Sequence, residues 1–229
     1  MFKGYTLSET LITLGIIGAI AAITIPSLIQ NHQKKQTVVK LKQTYSIIAQ
    51  ALRIAENDLG IIENSSLSSK TFIDHYLKPY CKIIREFAPD EFPHDFHILC
   101  RTGEICDPYG AFKNAQKIIL TNGTLIAPHP LSFQLNGEMY HGATIIVDIN
   151  GLKRPNKYGK DVFMFSFDYK NGLKPYGLGF IASMENTQKL LSRDSLLKGP
   201  DLRACQNDGI YCAAVIMMDG WEICDDYPW

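Results

Sequence analysis

From Leu11 to Ile29 the chain is almost without polarity, and from Thr10 through Asn31 it carries no charge. About 20 apolar residues in a helix cross the hydrocarbon core of a bilayer. Lys34 and Lys35 end the run, and a polar, amphipathic stretch follows. One residue departs from the pattern: Glu9 lies inside the segment that faces lipid. A carboxylate costs about 2.5–3.5 kcal/mol at the bilayer centre, and less toward the end of a span. An acid placed there calls for a partner and a function.

The residues around it carry a resemblance. Gly4-Tyr5-Thr6-Leu7-Ser8-Glu9 resembles the processing motif of type IV prepilins and type II secretion pseudopilins, which have Gly, usually Phe, Thr-Leu, an aliphatic residue and Glu. Tyr5 and Ser8 are the departures; both keep size and helix compatibility roughly intact. The resemblance implies cleavage after Gly4 by a prepilin peptidase and N-methylation of Tyr5. It assigns Glu9 to pairing with the new amino terminus of a neighbouring subunit. Pro26 matches the proline that kinks or locally melts the family's helix late in its apolar segment. The four-residue leader, Met1 to Gly4, keeps one cation, Lys3, on the cytoplasmic side.

Two other readings use the same stretch. A conventional signal peptide would be cut at Ala19-Ile20-Ala21. A plain signal anchor would keep the helix uncut. Both leave Glu9 unexplained, and the apolar run continues past the first cut.

The helical pattern goes on beyond the membrane edge. Val38, Leu41, Tyr45, Ile48, Leu52 and Ala55 recur at alternating three- and four-residue spacing, one apolar stripe on a helix running to about Asn57. Asp58-Leu59-Gly60 supplies a stop. The expectation is one long helix whose second half carries a globular domain on its stripe.

Ser65 to Ser69 is loop-like or helix-capping, and a short helix is predicted from Lys70 to Ile84. Phe87, Phe92, Phe96, His94 and His97 follow among prolines and acids. Two histidines three apart suit a metal on a helix, but Pro93 and the lack of a third ligand favour surface histidines. From about Gln116 strands are predicted. Ile118 to Ala127 reads as a hairpin around Asn122-Gly123. Ala143 to Ile149 and Val162 to Asp168 read as strands, with a turn at Lys170 to Leu173. A long helix followed by an antiparallel sheet is an α+β order, and the resemblance implies the same fold.

Between two of these strands lies Asp148-Ile149-Asn150-Gly151, leading through Pro155-Asn156 to Asp161. Such a loop is rich in oxygen ligands, and calcium takes several carboxylate and carbonyl oxygens. Some pseudopilins carry calcium in their sheet region, so Asp148, Asn150 and Asp161 are candidate ligands. The spacing is not that of an EF-hand. Lys153, Arg154, Lys157 and Lys160 oppose a cation. A turn in which Asp and Asn bond the backbone is the alternative.

Six cysteines, 81, 100, 106, 205, 212 and 224, lie beyond the apolar run, and none forms a Cys-x-x-Cys pair. That suits disulfides in an oxidising compartment; reduced core cysteines are the other reading. Six allow 15 pairings. Cys100–Cys106 and Cys205–Cys212 are the local pairs, leaving Cys81 with Cys224. Ala213 to Met218 reads as a buried strand near the C-terminus, where both tryptophans lie. It is expected to be stapled onto the sheet, with an exposed aromatic contact surface as the other possibility.

Net charge is zero at 23 basic and 23 acidic residues, which leaves no long-range footprint for nucleic acid. No Gly-x-Ser-x-Gly, P-loop, His-Glu-x-x-His or dinucleotide fingerprint is present, so an enzyme is not expected.

The expected organisation is a leader over 1–4, a transmembrane half-helix over 5–30, an amphipathic half-helix over 31–60 and an extracytoplasmic pilin-like domain over 61–229. By the resemblance, the chain is a filament subunit, a minor pilin or pseudopilin of a type IV pilus or type II secretion-like system. Its partners would be other pilin subunits, the prepilin peptidase and N-methyltransferase, the inner-membrane assembly platform and membrane lipid. It would reside in the bacterial cytoplasmic membrane and then in the filament. The rival is a membrane-tethered extracytoplasmic binding or adhesin domain that does not polymerise.

Overall fold

The computed structural model describes residues 6–60, 67–107, 110–135, 138–168, 172–178 and 191–229, with backbone alone over 133–135 and 138–140. The chain divides into two compact units, Met1–Gln36 and Thr37–Trp229, and helix α1 (Leu7–Leu59) belongs to both.

In the first unit, α1 presents its large apolar side chains outward, Leu7 at 79% and Ile23 at 77% exposure among them. It is long and apolar enough to cross a membrane. Three of its hydroxyls bond the helix's own backbone: Thr13 Oγ1 donates to the Glu9 carbonyl at 2.7 Å, Thr24 to Ile20 at 3.0 Å and Ser27 to Thr24 at 2.9 Å. A hydroxyl bonded to its own helix backbone needs no water, as hydrocarbon requires. The helix is continuous through Pro26.

In the second unit, α1 ends where expected. The Gly60 N–H donates to the Glu56 carbonyl, and Gly60 has φ +76, the left-handed conformation that closes helices. Leu41, Ile48, Leu52 and Ala55 of the predicted stripe are buried, and Val38 and Tyr45 pack beside them. Each fully buried Leu or Ile stabilises by about 1.5–3 kcal/mol.

The sheet is an antiparallel meander with strand order following the chain. Its strands are β1 (Ile83–Phe87), β2 (Lys117–Leu120), β3 (Leu125–Leu135), β4 (Glu138–Asp148), β5 (Val162–Asp168) and β6 (Gly172–Pro175). The helix stripe packs on it through specific contacts. Thr44 and Thr124 share a buried hydroxyl hydrogen bond at 3.2 Å. The Tyr45 hydroxyl donates to the Leu173 carbonyl at 3.0 Å, and its ring lies 5.7 Å from Phe165. The fold is thus α+β, a long N-terminal helix packed on a C-terminal antiparallel sheet.

Two expectations are corrected. The predicted helix over 70–84 is shorter: α2 (Ser69–Phe72) is capped by Ser68 and passes into a π-helical turn, Ile73–Leu77. Ile83 and Ile84 already belong to β1, because pairing with β2 outweighs the local helical pattern. The predicted strand over Ala213–Met218 is helix α4 (Cys212–Met218), preceded by the short α3 (Arg193–Lys198). Cys212 to Ile216 are all buried, so no period of two or 3.6 marks the segment, and a short apolar run fits either state. The predicted turn at Lys170 to Leu173 lies largely outside the described residues.

Candidate functional site

Glu9 stands in the first turn of α1, and the structure gives it a local partner. Thr6 precedes the helix. Its backbone N–H and hydroxyl both donate to Glu9 Oε2, at 2.9 and 3.0 Å, while the Glu9 N–H donates back to Thr6 Oγ1 at 3.3 Å. This is a reciprocal capping box, which satisfies N–H groups that a helix start leaves unpaired. The Thr-x-x-Glu spacing that signals it was present in the sequence, inside the processing motif. Gly4 and Tyr5 lie outside the described residues.

Asp148, Asn150 and Asp161 are brought together in the loop between β4 and β5. Asp161 Oδ1 accepts from the Lys157 N–H at 2.6 Å, and Oδ2 accepts from the Asn156 N–H and the Asn150 side-chain amide, each at 2.9 Å. Asp148 Oδ1 accepts from the Asn150 N–H at 3.0 Å. The Asn156 amide nitrogen, facing its acceptors, donates to the Lys153 carbonyl at 2.7 Å and to Asp148 Oδ2 at 3.3 Å. Asn156 has φ 53 and Gly151 φ +74; a Cβ on Gly151 would lie 2.5 Å from the Gly123 carbonyl oxygen of the β2–β3 turn.

This donor set does not fit calcium. The ion takes about six to eight oxygens, and both Asp161 oxygens already accept N–H donors, with the Asn150 nitrogen turned toward them. Of the three candidate ligands, Asn150 Oδ1 is the buried oxygen left without a partner among the described residues. In this geometry the residues form the hydrogen-bonded turn that is the alternative reading of the loop. Burial, and then the neighbouring Asp161 charge, push the Asp148 carboxyl up to about 9. Burial also raises Asp161, against the N–H donors that hold it down.

The loop is a junction for the rest of the unit. The Leu99 N–H donates to the Asn156 carbonyl and the Tyr158 N–H to the Leu99 carbonyl, tying it to the segment around the Cys100–Cys106 disulfide. At the C-terminus, the Arg193 guanidinium of α3 forms ion pairs with Asp219, just after α4, and with Asp226. This clamp was not legible in the sequence, because its members lie 26 and 33 residues apart with no pattern linking them.

The cysteines pair locally. Cys100–Cys106 and Cys205–Cys212 are disulfides, with Cα atoms 4.9 and 4.6 Å apart. Cys81 and Cys224 are free thiols, which corrects the expected third pair. Each has its own surroundings: burial pushes Cys81 up to about 11, while Cys224 is raised by burial and by the Asp219 carboxylate to which it hydrogen-bonds.

Residues 105–229, more than half of the chain, match a family model described as a family of unknown function, DUF6613. The chain belongs to DUF6613. The matched DUF6613 region takes in β2 to β6, the Asp148–Asp161 turn and both C-terminal helices, and begins after α1. No curated protein and no solved structure matches the chain.

Proposed function

We propose that this DUF6613 protein is a membrane-anchored filament subunit, a minor pilin or pseudopilin matured by a prepilin peptidase. Cleavage falls after Gly4, and methylation on Tyr5. The observation that carries the reading is Glu9, a carboxylate at the head of a helix whose next stretch, Thr10 through Asn31, is uncharged and largely apolar. In a helical array each Glu9 sits beside the amino terminus of the next chain. That pairing gains from low dielectric and sets axial register, although desolvation offsets much of the energy. The DUF6613 region is then the part displayed outside the cytoplasmic membrane. Related subunits, the inner-membrane assembly platform and lipid are the partners.

The capping box favours a second reading. Thr6 supplies Glu9 with two hydrogen bonds from its own chain, so a monomeric tethered binding domain also accommodates the acid. Glu9→Gln separates the two, because it keeps the size and removes the charge. In the filament reading the variant is inserted and cleaved but is missing from sheared filament fractions when it is the sole copy. Assembly equal to the parent would remove the role of Glu9, and a parent that stays in the membrane pool with its assembly proteins present would favour the tethered domain.

A further inference from the structure

Lys117, the first residue of β2, is 1% exposed. Its Nζ donates to the Ala115 carbonyl at 2.8 Å and to the Lys113 carbonyl at 3.5 Å. It stands 4.7 Å from the centre of the Phe92 ring and 4.8 Å from that of Phe112. No ion pair among the described residues includes it. Asp107, the acid that acts on it electrostatically, has its oxygens engaged by the Phe112 and Lys113 N–H groups at 2.7 and 2.9 Å. Buried charges are ordinarily paired, so a cation held by carbonyls and ring faces is an exception. Burial lowers this ammonium to about 8, with Asp107 opposing.

The same lysine lines a cavity of about 600 Å³. Such a volume suits a small organic ligand. Phe92, Phe96, Phe112 and Ile98 give it an apolar wall, with Phe96 and Phe112 stacked at 5.5 Å. Ile105, 65% exposed, also lines it. Exposed His94 and His97 stand at the same cavity. Asp90 and Lys113, both exposed, and Asp107, half-buried with its oxygens engaged, also line it, and Lys117 is the buried charge among the aromatic and aliphatic walls.

We propose that this cavity binds a small aromatic monocarboxylate, its carboxylate taken by Lys117 Nζ and its ring lying against Phe96 and Phe112. The buried ammonium matches one negative charge, and a charge-assisted hydrogen bond in an apolar site is among the stronger polar contacts. The cavity lies wholly within Thr37–Trp229, and the inference does not depend on filament assembly.

The test uses the detergent-solubilised full chain and calorimetric titration with 3-phenylpropionate, 3-phenylpropanamide and acetate. Saturable binding of 3-phenylpropionate is expected, with the neutral amide and acetate each weaker by about tenfold or more. Lys117→Met keeps an apolar stem and removes the charge, and should weaken 3-phenylpropionate by at least about tenfold. Ile105→Glu, at a position 65% exposed, sets at the cavity a charge like that of the ligand, and a loss of similar size is expected. Failure of 3-phenylpropionate to saturate, equal binding of the amide, or unchanged binding by Ile105→Glu would overturn the proposal.

Discussion

The Tyr227 hydroxyl donates to the Gly159 carbonyl at 2.6 Å, with Tyr227 buried and 68 residues away in sequence. The bond pins the last residues of the chain to the β4–β5 loop. Gly159 itself has φ +78, and a Cβ there would meet Cys212 Sγ at 2.6 Å. Tail, loop and the Cys205–Cys212 disulfide therefore stabilise one another. Tyr227→Phe leaves a buried carbonyl without its donor and should cost about 1–2 kcal/mol. Denaturant unfolding of the full chain in detergent would measure it; an unchanged midpoint would show that the tail is not held by this bond.

Asp161 is the centre of the loop, accepting three N–H donors. Asp161→Asn replaces one acceptor oxygen with a donor that faces another N–H, and should destabilise by about 2–4 kcal/mol. Calcium or a chelator should leave the melting temperature of the parent unchanged. A rise with calcium that Asp161→Asn abolishes would restore a cation to the loop.

Asp148 is raised from an ordinary carboxylate value of about 3.9 to about 9. The folded state then holds a proton that the unfolded chain releases. Its contribution to stability is full below pH 4 and is lost as pH rises toward 9. Asp148→Asn cannot ionise. Its stability should therefore exceed that of the parent by an amount that grows by about 1 kcal/mol for each pH unit between pH 5 and 9. Parallel stability curves for the two proteins would contradict the shift.

Thiol counting tests the disulfides. Denatured, unreduced protein should take up two alkyl groups, on Cys81 and Cys224, and reduced protein six. Mass spectrometry of the whole chain reads both. Two groups on other cysteines would mean different connectivity, and six without reductant would remove both bonds.

Much of the fold was legible because local pattern and tertiary burial agree. The α1 stripe from Leu41 to Ala55 and the Gly60 stop are periodic signals that the core simply uses. β5 has the limits read from Val162 and Asp168. The misses have physical causes. β1 carries Arg85 and Glu86 beside a register irregularity at a sheet edge, so nothing in it alternates cleanly. α4 is buried from Cys212 to Ile216 and has no polar face to reveal its period. At the site, Glu9 was legible as an acid out of place. Its bond to Thr6 was hidden because the same four residues also read as a processing motif. Lys117 gave no signal, since a lysine starting a strand is ordinarily solvated.

The mass and first residue of the mature protein, taken from membranes of cells that carry a prepilin peptidase, test the central claim most directly. The chain should begin at Tyr5, N-methylated, with Met1 to Gly4 removed, and Gly4→Val should leave the precursor uncut. A mature chain beginning at Met1, or near Ala22 after signal-peptide cleavage, would contradict it.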